Sequence, residues 1–175
     1  MPIRGYVTTS NGVRLYYIIV GDKPDTLIMI NGGPGLAHQE LQGTRFLSKY
    51  AKLVYFDQRG TGKSSKTKPE EYTIENNVLD IEALRDGLGL SVVSLFGFSW
   101  GAALALEYAV KYPSNVKRLI LVSSFTSTED INLAFQSIKF RAPKKTQEIL
   151  ERYEQNGLYE NGRYPDEYLH ALQEV

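Results

Sequence analysis

Val92-Val93-Ser94-Leu95-Phe96-Gly97-Phe98-Ser99-Trp100-Gly101-Ala102-Ala103-Leu104-Ala105-Leu106 is the stretch on which the fold turns. An apolar run, Val92 to Phe96, reads as a buried strand, and the alanine-rich segment Ala102 to Tyr112, stopped by Pro113, reads as a helix. Between them stands Gly97-x-Ser99-x-Gly101. A serine on so sharp a strand-to-helix turn needs a small residue on each side, and the turn pushes its hydroxyl outward into a cleft. The helix that starts beneath it aims backbone N–H groups and the positive end of its dipole at any oxyanion formed there. A serine that merely caps a helix needs neither the flanking glycines nor the extruded turn. Ser99 is therefore the candidate nucleophile.

Outward from this turn, Val13 to Val20, Thr26 to Ile30, Lys52 to Asp57, Ser91 to Phe96 and Val116 to Val122 are short, apolar and β-branched, and they are bounded by Gly, Asn, Asp or Pro. They read as strands. The clearest helix runs from Thr73 to Leu88, with Ile74, Val78, Ile81, Leu84 and Leu88 at helical spacing and Thr73 as its N-cap. Alternation of the two element types predicts a mostly parallel sheet with helices on both faces. Residues 1–124 are expected to form this α/β core. From residue 125 the texture changes: after the polar hinge Ser124, Thr126, Ser127 and Thr128, the segments Ile131–Phe140, Lys144–Tyr153 and Asp166–Val175 read as helices with no strands between them. Residues 125–175 thus read as the start of a helical cap, and Tyr153, Tyr159, Tyr164 and Tyr168 as its packing aromatics.

Composition narrows the function. The 175 residues are 42% hydrophobic and carry 20 basic against 20 acidic side chains, so nothing attracts a phosphate backbone over distance, and nucleic acid is not an expected partner. No apolar stretch approaches the roughly 20 residues of a membrane-spanning helix. The first twenty residues show no signal-peptide pattern, and with no cysteine there is no disulfide or thiolate chemistry, so a cytoplasmic location is expected. Two distant histidines without metal-ligand spacing suggest no metal, and no cofactor is expected.

Seven of the fifteen glycines lie in three motifs, each directly after a predicted strand: Asn31-Gly32-Gly33-Pro34-Gly35, Asp57-Gln58-Arg59-Gly60-Thr61-Gly62-Lys63-Ser64, and the serine turn. Loops at the carboxyl ends of parallel strands are where such sheets bind ligands. Gly32 and Gly33 leave room for a backbone amide to point at a substrate carbonyl, and Pro34 fixes the turn. Gly62-Lys63-Ser64 is not the end of a phosphate-binding loop, because that motif needs glycine where Asp57 stands. Asp57 and Arg59 are instead expected to form ion pairs and hydrogen bonds that brace their loop beside the elbow.

The three motifs, in this order, resemble the proline iminopeptidase branch of the α/β-hydrolase fold, its archaeal members in particular. The resemblance runs from about residue 10 to residue 124 and takes in Asp80-Ile81-Glu82-Ala83-Leu84-Arg85 and Leu104-Ala105-Leu106-Glu107-Tyr108-Ala109. It implies a cofactor-free serine peptidase that releases N-terminal residues, preferably proline, through an acyl-enzyme at Ser99. The N–H groups of Gly33 and Trp100 would form the oxyanion hole, with Gly32, Pro34 and Gly35 beside the substrate. Short peptides with a free N-terminus would be its partners, produced by a larger protease system. Asp57, Gln58 and Arg59 match the family motif without a catalytic role. Asn31 stands where the family usually has His, a position thought to support the loop, so the loop geometry is expected to be tuned and not abolished.

Ser99 needs an imidazole to take its proton. In this fold the acid and the histidine follow the cap, so both are expected beyond Val175, on final strands the chain lacks. His38 precedes Ser99 and reads as structural or substrate-adjacent; His170 lies in an amphipathic tail. The strand ending at Val122 is expected to be an exposed apolar edge that makes the isolated chain associate or stay partly molten. Glu151, Glu154 and Glu160 are candidates, by location alone, for reading a substrate's amino terminus. A serine esterase or amidase of the same fold, and an incomplete hydrolase module that binds a ligand or its missing C-terminal part, are the alternatives.

Overall fold

In the computed structural model, residues 2–125, 127, 129, 133, 136–137, 140–156 and 167 are described. The chain divides into two compact units, Met1–Phe125 and Thr126–Val175. The first unit is built on six strands: β1 (Ile3–Thr8), β2 (Arg14–Val20), β3 (Thr26–Ile30), β4 (Lys52–Phe56), β5 (Val93–Phe98) and β6 (Val116–Val122). They form one sheet in the order β1-β2-β4-β3-β5-β6. The hairpin of β1 and β2 is antiparallel, as is the pairing of β2 with β4, while β4, β3, β5 and β6 run parallel.

The helices α1 (Ile74–Gly87) and α2 (Trp100–Lys111) cross over between parallel strands, and a run of 3-10 turns, His38–Lys49, links β3 to β4. Strand alternation sends Ile28 and Ile30 to one face and Leu27 and Met29 to the other. On the first face they join Val54, Phe56, Leu95, Val78, Ile81, Leu84, Leu104 and Tyr108. On the second they join Tyr16, Ile18, Leu53, Tyr55 and Phe96, covered by Leu41 of the 3-10 run. Each large aliphatic side chain buried this way contributes about 1.5–3 kcal/mol of transfer free energy. Thr73 caps α1, its side chain accepting the Asn76 N–H at 3.1 Å.

Several boundaries differ from the sequence expectation. The strand expected over Ser91–Phe96 runs Val93–Phe98, because Ser91 and Val92 are exposed and pairing with β6 carries it to the brink of the serine turn. The helix expected from Ala102 begins at Trp100, immediately after Ser99. Strand β1 has no signature in the sequence; its residues Ile-Arg-Gly-Tyr-Val-Thr bury only Val7, too little for a visible alternation. In the second unit, α3 (Lys144–Asn156) is amphipathic and buries Thr146 and Leu150. The helices expected over Ile131–Phe140 and Asp166–Val175 fall largely outside the described residues, as do Tyr159, Tyr164 and Tyr168. Tyr153 is described, and its hydroxyl donates to Glu167 at 2.7 Å. Among the described residues no helix is long and apolar enough to cross a membrane.

Candidate active site

Three loops meet at the carboxyl ends of β3, β4 and β5. At the tip of β5, Ser99 has φ 51° and ψ −116°. A positive φ strains a residue with a Cβ by about 1–3 kcal/mol and persists only where its surroundings impose it. The surroundings here are backbone. A Cβ at Gly97 would lie 2.4 Å from the Gly101 carbonyl oxygen, and one at Gly101 would lie 2.2 Å from the Ile30 oxygen and 2.6 Å from that of Asn31. Both glycines of the motif are thus sterically required, and the second presses the start of α2 against the end of β3. The Ser99 N–H donates to the Val122 carbonyl at 2.9 Å, and the Ser99 carbonyl accepts from Ala102 at 2.9 Å. As the first residue of α2, Trp100 has no carbonyl one turn back to occupy its own N–H.

The loop after β3 is held at both ends of its first glycine. The Gly32 N–H donates to Glu40 at 2.6 Å, and the Gly32 carbonyl accepts from the Asn31 side-chain amide at 2.9 Å. Burial pushes the Glu40 carboxyl above the usual carboxylate range, and the Gly32 bond pulls it partly back. Gly33 has φ 126°, open to glycine but not to side chains. Gly32 is buried, Gly33 half-buried, and Pro34 and Gly35 are exposed.

The loop after β4 is the brace. Asp57 is fully buried, and its carboxylate accepts the His38 N–H at 3.0 Å, the His38 ring Nδ1–H at 2.6 Å and the Lys63 N–H at 2.8 Å. A Cβ at Gly62 would fall 2.2 Å from that carboxylate, which is why a glycine of phosphate-loop appearance stands there. Arg59 does not pair with Asp57. Its guanidinium forks onto Asp80 of α1 with two bonds of 2.7 Å and also reaches the Glu71 carbonyl at 3.1 Å. Gln58, given no role by its sequence, joins the other two loops: its amide donates to the Asn31 carbonyl at 2.8 Å and accepts the Trp100 indole N–H at 3.1 Å. Partners 27 and 42 residues away leave no local signal for such a bridge.

His38 lies with its ring on Asp57, and among the described residues none is hydrogen-bonded to Ser99 Oγ. His170, Glu160 and the side chain of Glu154 are outside the described residues; Glu151 lies in α3.

Residues 25–159 match the family described as the alpha/beta hydrolase fold, and the chain belongs to that family. Within it, the chain is 32% identical over 166 residues to the proline iminopeptidase of Thermoplasma volcanium, covering 93% of this chain and 56% of that one. It is 33% identical over 171 residues to the proline iminopeptidase of Lactobacillus helveticus, covering 94% and 56%. It also superposes on the crystal structure of the Mycobacterium smegmatis proline iminopeptidase with a TM-score of 0.78 at 25% identity, covering 98% of this chain and 59% of the other. The chain spans about half the length of the curated relatives it matches.

Proposed function

We propose that this chain carries the nucleophile half of a serine aminopeptidase that removes N-terminal residues, preferably proline, from short peptides. Ser99 attacks the scissile carbonyl as an imidazole base takes its proton, the N–H groups of Gly33 and Trp100 receive the oxyanion, and the base returns the proton to the amine of the leaving peptide, which leaves an acyl-enzyme that water then hydrolyses. The observation that carries this reading is the positive φ of Ser99, imposed by glycines packed against backbone on either side. Such strain is maintained where a hydroxyl must be presented and serves no purpose in an ordinary helix cap. The names of the curated relatives support the choice of substrate. Residues 126–175 are proposed as the beginning of the cap that selects it.

The deciding experiment is hydrolysis of prolyl p-nitroanilide by the 175-residue chain, with Ser99→Ala as the control. Turnover abolished by Ser99→Ala supports the reading and requires a base within the chain, so that His170→Ala comes next. Turnover unchanged by Ser99→Ala overturns it.

A further inference from the structure

The glycines that let substrate approach the loop after β3 also leave it free to fail. The peptide joining Gly32 to Gly33 has no Cβ on either side, so it can turn end over end at little cost. A turn of that kind would carry the Gly33 N–H away from wherever it is needed. In a trans peptide the N–H and the C=O point in opposite directions. The direction of the Gly33 N–H is therefore set by whatever holds the Gly32 carbonyl, and that group is the Asn31 side-chain amide at 2.9 Å.

Asn31 is built for the task. It is fully buried, and its second amide hydrogen goes to the Leu36 carbonyl at 2.9 Å, across the loop. Its own carbonyl is fixed by Gln58, which also holds the Trp100 indole. With two carbonyls facing the side-chain nitrogen, a rotated amide would oppose oxygen to oxygen, so the orientation is unique. Among the described residues its Oδ1 is buried with no hydrogen-bond partner.

We propose that Asn31 is the positioning residue of the oxyanion hole: it clamps the Gly32 carbonyl and so holds the Gly33 N–H on the side facing away from the buried amide. The proposal rests on the reading of Gly33 as an oxyanion donor. Without the clamp, the Gly32 carbonyl turns toward water and takes the donor with it.

The test uses the 13C,15N-labelled 175-residue chain with Asn31→Leu, which removes both donors and the orphaned acceptor at similar volume, and Asn31→His, which restores a ring N–H. Readouts are the Gly32 carbonyl and Gly33 amide resonances, the urea midpoint, and kcat and KM for p-nitrophenyl acetate. In Asn31→Leu both resonances are expected to move and the urea midpoint to fall without loss of the cooperative transition, since two carbonyls lose their donor, and in Asn31→His the resonances return toward the original positions. kcat is expected to fall about a hundred- to a thousandfold in Asn31→Leu, the usual loss for one oxyanion donor, with KM unchanged. Unmoved resonances in a folded Asn31→Leu protein overturn the proposal. If Asn31→Leu does not fold, Asn31→His decides: a Gly33 amide at its original position supports the clamp, and a displaced one overturns it. A parent chain inert toward the ester is what a nucleophile half without its base predicts, and the two resonances then decide the clamp.

Discussion

Strands β3 and β6 each carry a run of large aliphatic residues and live in opposite circumstances. β3, Thr-Leu-Ile-Met-Ile, lies between β4 and β5 with all five residues buried. β6, Val-Lys-Arg-Leu-Ile-Leu-Val, is the last strand of the sheet, with Ile120 42% and Val122 38% exposed. The difference teaches that apolar content marks a strand and says little about its neighbours. Position in the sheet decides burial, and topology places β3 at the centre, where its carboxyl end meets the serine turn. β6 touches the same turn from its open side, through the single bond from the Ser99 N–H to Val122.

The contrast can be broken most severely at the centre. Gly101→Val would thrust a side chain into the Ile30 and Asn31 carbonyl oxygens, 2.2 and 2.6 Å from the new Cβ, and neither end can yield without moving a strand or a helix. More than about 4 kcal/mol should be lost, the range kept for such steric faults, with no cooperative urea transition left. Ile28→Ala, a fully buried residue of β3, should cost about 2–5 kcal/mol by chemical denaturation.

A smaller effect follows from the seam between α1 and α2. Glu82 pairs with Arg85 at 2.7 Å and accepts the Tyr108 hydroxyl at 2.5 Å. These bonds, that of Arg85 foremost, hold its carboxyl below the usual carboxylate range. Being depressed on folding, it contributes stability that is present above the unfolded value of 4.5 and lost as pH falls through the folded one. Melting temperature should decline on acidification through that window, and Glu82→Gln should flatten the decline. The smallest effect belongs to the edge. Ile120→Lys should change stability by no more than about 0.5 kcal/mol, since the side chain is already exposed. It should also reduce self-association in sedimentation, because a lysine on an open edge discourages strand pairing. A loss as large as that of Ile28→Ala would show that β6 is no edge in solution.

What the sequence discloses and what it hides follows the same division. The serine turn, the glycine loop after β3 and the N-cap of α1 are legible because each demand is local: a tight turn needs glycine at Gly97 and Gly101, and a helix start needs a side-chain acceptor such as Thr73. β1 is illegible because an outer strand that buries one residue has no period to read. The 3-10 run His38–Lys49 escapes a search tuned to the α-helical repeat. Gln58 is hidden for another reason, since its worth lies in two partners that only folding brings to it. The apolar run Arg118–Val122 reads as an edge, and the structure places that strand last in the sheet.

Trp100 is the one tryptophan of the chain, half-buried beside Ser99 with its indole tied to Gln58. Excited selectively over the twelve tyrosines, the protein's intrinsic fluorescence is therefore a local gauge. Its colour reports the solvent and the hydrogen bond at one turn. A fluorescence denaturation curve will measure how firmly the elbow is set, and its departure from circular dichroism will measure how far the elbow outlasts, or precedes, the rest.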